Sequence, residues 1–395
     1  MKKKLTAICA MFVFFAVSSA ALAAETPKNE AAEEIARITS GSVKQDDSAS
    51  VSADKKVIEK KSAEKTTSPV KTTQPTPVKP ASKDITPVSP DLKTPVSGDL
   101  SDIPAIAGRP KKPTPMNAGK AESRESMLVT PKWLMNNKGN VILVDARPES
   151  LYAGGHIAGA VNASWTYFAN MSAPTGSMKY GTIFNAATMS KRIGALGING
   201  KKTVIIYDDA GGWGQSGWTL WILRMSGVKN AKIMEGGLTA WKAEGGKVTK
   251  SASRNKAVAF KIKEYEPNYV VNTEWIDNNL GKQNLVILDV RTPAEYNGKI
   301  RPFQEKRAGH LPGAVNIEMQ KFVNDEYGIL SDDDVTAMLA KEGVTPESEI
   351  VVYDTAGVRA AFVTMVLRHA GFHKSQCYDE GFQAWAGKSD LPLEK

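Results

Sequence analysis

Six consecutive residues, Asp354-Thr355-Ala356-Gly357-Val358-Arg359, follow the apolar run Ile350 to Tyr353 and precede an apolar, helix-compatible segment that reaches His369. A short apolar run bounded by turn residues predicts a buried strand. The six residues are therefore expected to join the carboxyl end of a strand to the amino end of a helix. Such a connection gathers unpaired backbone N–H groups and the positive end of the helix dipole, and so it binds anions. A thiol at its first position would be acidified there. The first position is instead the carboxylate of Asp354, expected to be stabilised as an anion among the same donors, with Arg359 closing the stretch.

Few other residues offer chemistry. The two cysteines are Cys9, inside an amino-terminal apolar run, and Cys377, in Lys374-Ser375-Gln376-Cys377-Tyr378, expected to be the last strand. Strand carboxyl ends border the sites of open parallel sheets. That leaves two readings of Cys377, a buried small apolar residue or a thiol approaching the pocket. The four histidines, His156, His310, His369 and His373, lack an HExxH spacing, and no CxxC is present, so neither a metal nor a cofactor is expected. Gly211 to Gly217 is glycine-rich but lacks the Gly-Lys-Ser/Thr ending of a phosphate loop.

The elements that must position these residues begin late in the chain. Three lysines, the apolar run Leu5 to Val17 and Ala21-Leu22-Ala23 read as a secretory signal over residues 1–23, with a membrane anchor as the rival reading. From residue 24 to 124 the chain is rich in Lys, Glu, Ser, Thr, Ala and Pro. It holds 12 of the 21 prolines and has no aromatic residue before Trp133, so it reads as a disordered tether. The formal charge is +9, three units of which are Lys2, Lys3 and Lys4. The modest, spread remainder does not point to nucleic acid. Beyond the signal no transmembrane segment is expected.

Apolar runs alternate with helix-compatible segments, such as Ala187 to Leu196 and Ser216 to Met225, which describes a parallel sheet with both faces covered. The pattern then repeats. Asp289 of Leu285-Val286-Ile287-Leu288-Asp289 follows Asp145 of Ile142-Leu143-Val144-Asp145 by 144 residues. Asp354 follows Asp208 by 146, and Gly381-Phe382-Gln383-Ala384-Trp385 follows Gly237-Leu238-Thr239-Ala240-Trp241 by 144. Three landmarks in one order at nearly one spacing predict a tandem duplication, with domains at 125–248 and 269–395 and an irregular crossing through Lys247 to Tyr269.

The paired motifs carry a family resemblance. Each half has an Asp-x-Arg (Asp145/Arg147, Asp289/Arg291) and a tyrosine followed by a Gly-His element. These are Tyr152 with Gly155-His156-Ile157-Ala158-Gly159-Ala160-Val161-Asn162, and Tyr296 with Gly309-His310-Leu311-Pro312-Gly313-Ala314-Val315-Asn316. From about Met127 to the end the chain resembles the rhodanese family of thiosulfate and mercaptopyruvate sulfurtransferases in its two-domain form. The resemblance implies tandem α/β domains. Asp-x-Arg is expected to pin a strand end, His156 and His310 to be scaffold, and Trp241 and Trp385 to be core. It also implies that the chemistry belongs to the loop Asp354 to Arg359, where the family's Cys-x-x-Gly-x-(Arg/Thr) carries a persulfide. Here the glycine, the length and the final arginine match, and the cysteine is replaced by Asp354. Arg307, two residues before Gly309-His310, matches the arginine with which two-domain members bind the substrate anion, and the preceding insert also carries Arg301.

A carboxylate cannot hold a sulfane sulfur, because the transfer needs a polarisable thiolate. The expected function is therefore an exported tandem rhodanese-domain protein without persulfide chemistry, a binding or scaffold module in the cell envelope. The alternative is an active sulfurtransferase using Cys377 or another site, and a third, weaker reading is a redox or metal-stress accessory. The expected ligand is a small sulfur-containing anion or a protein partner. Arg307, Arg301 and Arg359 are read either as the anion's cations or as neutralisers of Asp354 and neighbouring acids.

Overall fold

The computed structural model describes residues 127–209, 212–324 and 328–395. The expected signal and tether lie outside the described residues. In the first half the order is β1 (Leu128–Val129), α1 (Pro131–Asn137), β2 (Val141–Asp145), α2 (Glu149–Gly154), β3 (His156–Ile157), β4 (Ala160–Asn162), α3 (Trp165–Phe168), α4 (Ala186–Ala195), β5 (Thr203–Tyr207), α5 (Gln215–Met225), β6 (Ala231–Met234), α6 (Gly237–Ala243) and β7 (Val248–Thr249). The second half has β8 (Val270–Val271), α7 (Thr273–Asp277), β9 (Leu285–Asp289), α8 (Pro293–Tyr296), β10 (Val315–Asn316), α9 (Asp332–Ala340), β11 (Glu349–Tyr353), α10 (Val358–His369), β12 (Ser375–Tyr378) and α11 (Gly381–Gly387).

The duplication is exact at the level of topology. One sheet runs β1-β6-β5-β2-β4 and the other β8-β12-β11-β9-β10, with every neighbour parallel. Register repeats too: Val141 lies opposite Thr203 as Leu285 lies opposite Glu349. The Gly-His element also repeats. His156 pairs antiparallel with Thr249, and His310 forms an antiparallel bridge to Glu394.

Strand side chains alternate faces, and the alternation sorts the core. Leu143, Ile205 and Tyr207 enter one outer cluster with Leu238 and Trp241, and Val351, Tyr353 and Ile287 enter the other with Phe382 and Trp385. The intervening positions Ile142, Val144, Val204, Ile206, Ile350 and Val352 share one central core with α5 and α10. Trp241 and Trp385 are thus core, as expected. Helix α10 is buried on every side, its Arg359, Thr364, Arg368 and His369 included, and its apolar residues are not confined to one stripe. It crosses α5 closely because Gly217 lacks a side chain: a Cβ there would lie 2.5 Å from Phe362 Cα.

The expected helices at 187–196 and 216–225 occur one residue earlier at their starts. The join leaves β7 and runs without regular structure to a short 3-10 turn at Pro267–Tyr269, with Val258 N–H donating to Gly194 O on the way. No helix among the described residues is long and apolar enough to cross a membrane.

Candidate functional site

The loop begins where β11 ends. Asp354 is buried, and its Oδ1 accepts the Gly357 N–H at 2.6 Å while Oδ2 accepts the Arg359 N–H at 3.3 Å and the Arg359 Nε–H at 3.2 Å. Gly357 turns the chain into α10 at φ +90°, and a Cβ there would lie 2.7 Å from Asp379 Cα, so a tight approach and a left-handed backbone both require glycine. The loop carbonyls are used as well: Asp354 O accepts from Phe382 N at 2.7 Å and Thr355 O from Gln383 N at 3.2 Å. Ala356 and Val358 are half-buried, and Val358 packs against the central core. Two of the N–H groups at the start of the helix, those of Gly357 and Arg359, are occupied by the loop's own aspartate.

Around this loop the structure builds a buried ionic network. Arg359 makes a bidentate pair with Glu295, 3.0 Å on each arm, and donates to Thr355 Oγ1 at 3.1 Å. Thr355 donates to Glu305 Oε1 at 2.9 Å, Glu305 pairs with Arg291 Nη1 at 3.2 Å, and Arg291 pairs with Asp289 at 2.7 Å. Trp213 of the first half lies over the Arg359 guanidinium, 5.3 Å from the ring centre. Four carboxyl groups (Asp289, Glu295, Glu305, Asp354) thus face two guanidinium groups (Arg291, Arg359). Of the two readings of the arginines, Arg359 meets the one in which it neutralises Asp354 and a neighbouring acid.

Arg307, expected from the resemblance to meet a substrate anion, turns its guanidinium to backbone carbonyls in this structure. Its Nε donates to Ala386 O at 3.0 Å, Nη1 to Leu391 O at 2.8 Å, and Nη2 to Trp385 O at 3.0 Å and to Lys388 O. The guanidinium closes the carboxyl end of α11, where orphan carbonyls and the negative helix terminus favour a cation. Arg301 is likewise turned inward at one nitrogen, donating to Glu305 O.

Cys377 is fully buried in the central core on β12, and its Sγ lies 3.6 Å from Gly357 O, beneath the loop. The structure brings this thiol near Asp354's loop but gives it no solvent exposure, as the small-apolar reading expected. The Asp-x-Arg pairs pin the strand ends at 2.6 and 2.7 Å. His156 Nδ1 lies 2.8 Å from Tyr152 O with its ring stacked on Tyr152, and His310 repeats this with Tyr296 at 3.0 Å. Both are scaffold.

Glu295 and Glu305 escaped the sequence reading. Thr292-Pro293-Ala294-Glu295 carries the spacing of a capping box, which it forms. The same carboxylate meeting Arg359, 64 residues on, has no local signature. Burial alone would raise Glu295, but the charge and hydrogen bonds of Arg359 hold it at about 2. Burial pushes Glu305 up to about 7 against the opposing pull of Arg291 and Thr355. The two acids act oppositely on stability. Glu305 contributes fully below its ordinary 4.5 and loses that contribution as pH rises toward 7. Glu295 contributes above 4.5 and loses its part as pH falls toward 2. The urea midpoint is therefore expected to fall between about pH 5 and about pH 8, and Glu305→Gln to flatten that slope.

The first half carries a counterpart. Asp208 O accepts from Leu238 N at 2.9 Å, as Asp354 O does from Phe382, and Asp208 Oδ2 accepts the Ser216 N–H at 2.9 Å. A shallow cleft lies there, lined by Asp208, Asp209 and the second-half residues Met319, Val323 and Phe362. Burial pushes Asp208 up to about 6 against the donors of Ser216.

Comparison with known proteins accords with this geometry. The chain is 28% identical over 257 residues to the thiosulfate sulfurtransferase of Pseudomonas aeruginosa, covering 64% of this chain and 91% of that protein. It is 29% identical over 258 residues to that of Azotobacter vinelandii, with the same coverage. Among solved structures, the anaerobic ergothioneine biosynthesis enzyme from Chlorobium limicola, in complex with trimethyl histidine, shares the fold at a TM-score of 0.62. The identity is 19%, over 68% of this chain and 70% of that one. The model of the Rhodanese-like domain matches twice, at residues 130–244 and 272–388, and the chain therefore belongs to the rhodanese family as a tandem-domain member.

Proposed function

We propose that this protein is an exported rhodanese homologue that has lost persulfide-based sulfur transfer and serves as a binding or scaffold module in the cell envelope, carried on its long amino-terminal tether. The reading is carried by one observation. The Gly357 and Arg359 N–H groups and Arg359 Nε, which would serve a sulfur anion at this loop, are taken by the Asp354 carboxylate. We read Asp354 as standing where the family carries its sulfur-bearing cysteine, and a carboxylate forms no persulfide. The surplus of carboxyl groups around the loop supports a protein partner over thiosulfate or another small sulfur anion as the ligand. Export and display rest on the amino-terminal sequence, with its lysines, apolar run and small-residue cleavage site.

The alternative is a sulfurtransferase acting through Cys377, in keeping with the activity named for the Pseudomonas and Azotobacter relatives. Thiosulfate:cyanide sulfurtransferase assays on the wild type and on Cys377→Ser decide between them. Neither protein is expected to turn over above the uncatalysed rate. Turnover by the wild type that Cys377→Ser abolishes would replace the proposal with an enzyme using a relocated thiol.

A further inference from the structure

Between the tyrosine and the Gly-His element the second half is ten residues longer than the first, Tyr296 to His310 against Tyr152 to His156. The extra chain is held firmly at its base. Ala294 O accepts from both Lys299 N and Ile300 N, at 2.9 and 3.0 Å, and Glu305 N donates to Pro302 O at 3.0 Å. The fully buried Glu305 carboxylate is fixed between Arg291 and Thr355. At Gly176 the first half packs on the same base, where a Cβ would lie 2.9 Å from Gln304 O and 3.7 Å from the Lys306 side chain.

An insert so anchored nonetheless leaves its two largest apolar side chains in water. Ile300 is 55% exposed and Phe303 59%, the two highest values among the exposed large hydrophobic residues described. Lys299, Arg301 and Lys306 beside them are exposed as well, while the one acid of the insert, Glu305, is turned inward and paired. The outward face is therefore cationic with an apolar tip. Apolar side chains at a tip, with cations set around them, suit a surface that is negative outside and apolar just beneath. An anionic bilayer has that layering, and it deforms around a projection that a preformed protein groove would have to match. Long lysine side chains reach the headgroups while the apolar pair enters the acyl boundary.

We propose that the insert 298–306 is a membrane-surface contact that seats Ile300 and Phe303 in the interface of an anionic leaflet, with Lys299, Arg301 and Lys306 on lipid headgroups. The inference is independent of whether the Asp354 loop retains chemistry. The test uses the full chain with phosphatidylglycerol-rich vesicles and with phosphatidylcholine vesicles. Ile300→Ser/Phe303→Ser, and separately Lys299→Gln/Lys306→Gln, are expected to weaken binding to the anionic vesicles by about tenfold or more, and added salt to weaken the wild type. The amino-terminal apolar run can itself hold the chain on lipid, so a second reading is taken with a nitroxide at position 303 (Phe303→Cys with Cys9→Ser). On vesicle-bound protein the nitroxide is expected to lose contact with a water-soluble relaxation agent. A nitroxide that stays in water on bound protein overturns the proposal and leaves the exposed cations to an acidic protein partner.

Discussion

Arg359→Met is expected to lower the stability of the protein by about 3–5 kcal/mol, read as a fall in the urea midpoint at neutral pH. The side chain is buried and holds two carboxylates, Glu295 through two 3.0 Å hydrogen bonds and Asp354 through one of 3.2 Å. Methionine fills much of the volume but leaves both anions buried without their cation, and an uncompensated buried charge costs far more than an ion pair contributes. Thr355 also loses a donor to its hydroxyl. The size of the effect thus measures how completely the loop depends on its own internal charges. Adding Glu295→Gln and Asp354→Asn to Arg359→Met should recover most of the loss, because the anions that needed the guanidinium are then neutral. Arg359→Lys should fall between, keeping the charge but not the fork that spans Glu295. A triple variant as unstable as the single one would show that the arginine acts through packing, against Trp213 for instance, rather than through charge.

What the sequence disclosed of this arrangement was what is local or repeated. Asp145/Arg147 and Asp289/Arg291 sit two residues apart, so their pairing needs no tertiary knowledge. The parallel sheets follow from apolar runs alternating with helical segments, and the tandem fold from landmarks recurring at one spacing. The loop itself was legible because a strand end and a helix start imply converging donors whichever residue stands first. The long-range partners were not. Arg307 lies beside the Gly-His element in the chain, yet its guanidinium reaches the end of a helix some 80 residues later, and nothing in its neighbours announces those carbonyls. Glu295 went unread, although the spacing Thr292 to Glu295 carries a capping-box signal; its pairing with Arg359 has no such local signal, since a carboxylate with two oxygens serves both. Charge counted along the chain made the site look cationic. Counted in space, with Glu295 and Glu305 folded in, it is acidic.

Asp354→Cys should give the protein a reactive thiol that the wild type lacks. The introduced sulfur would stand at the end of β11, facing the Gly357 and Arg359 N–H groups and Arg359 Nε that now serve the carboxylate. Donors at a helix start and a neighbouring arginine favour the thiolate. Alkylation at neutral pH, followed by mass spectrometry, is expected to run at least about tenfold faster there than at Cys377, whose sulfur is fully buried. With thiosulfate the variant should gain one sulfur atom in mass as sulfite leaves, then pass that sulfur to cyanide as thiocyanate and regain its thiolate, a measurable but slow turnover. It should be slow because Glu295 and Glu305 remain beside the loop and oppose a dianion. Adding Glu305→Gln removes one of them and should speed the reaction further, more above the neutral range than below it, since Glu305 titrates at about 7. Sulfur loading by Asp354→Cys would support the proposed loss of sulfur transfer and place it in the nucleophile alone, on a loop whose donors are intact. An introduced thiol no more reactive than Cys377 would mean that those donors do not converge on the position, and it would remove the ground for reading Asp354 as the replacement of a sulfur-carrying cysteine.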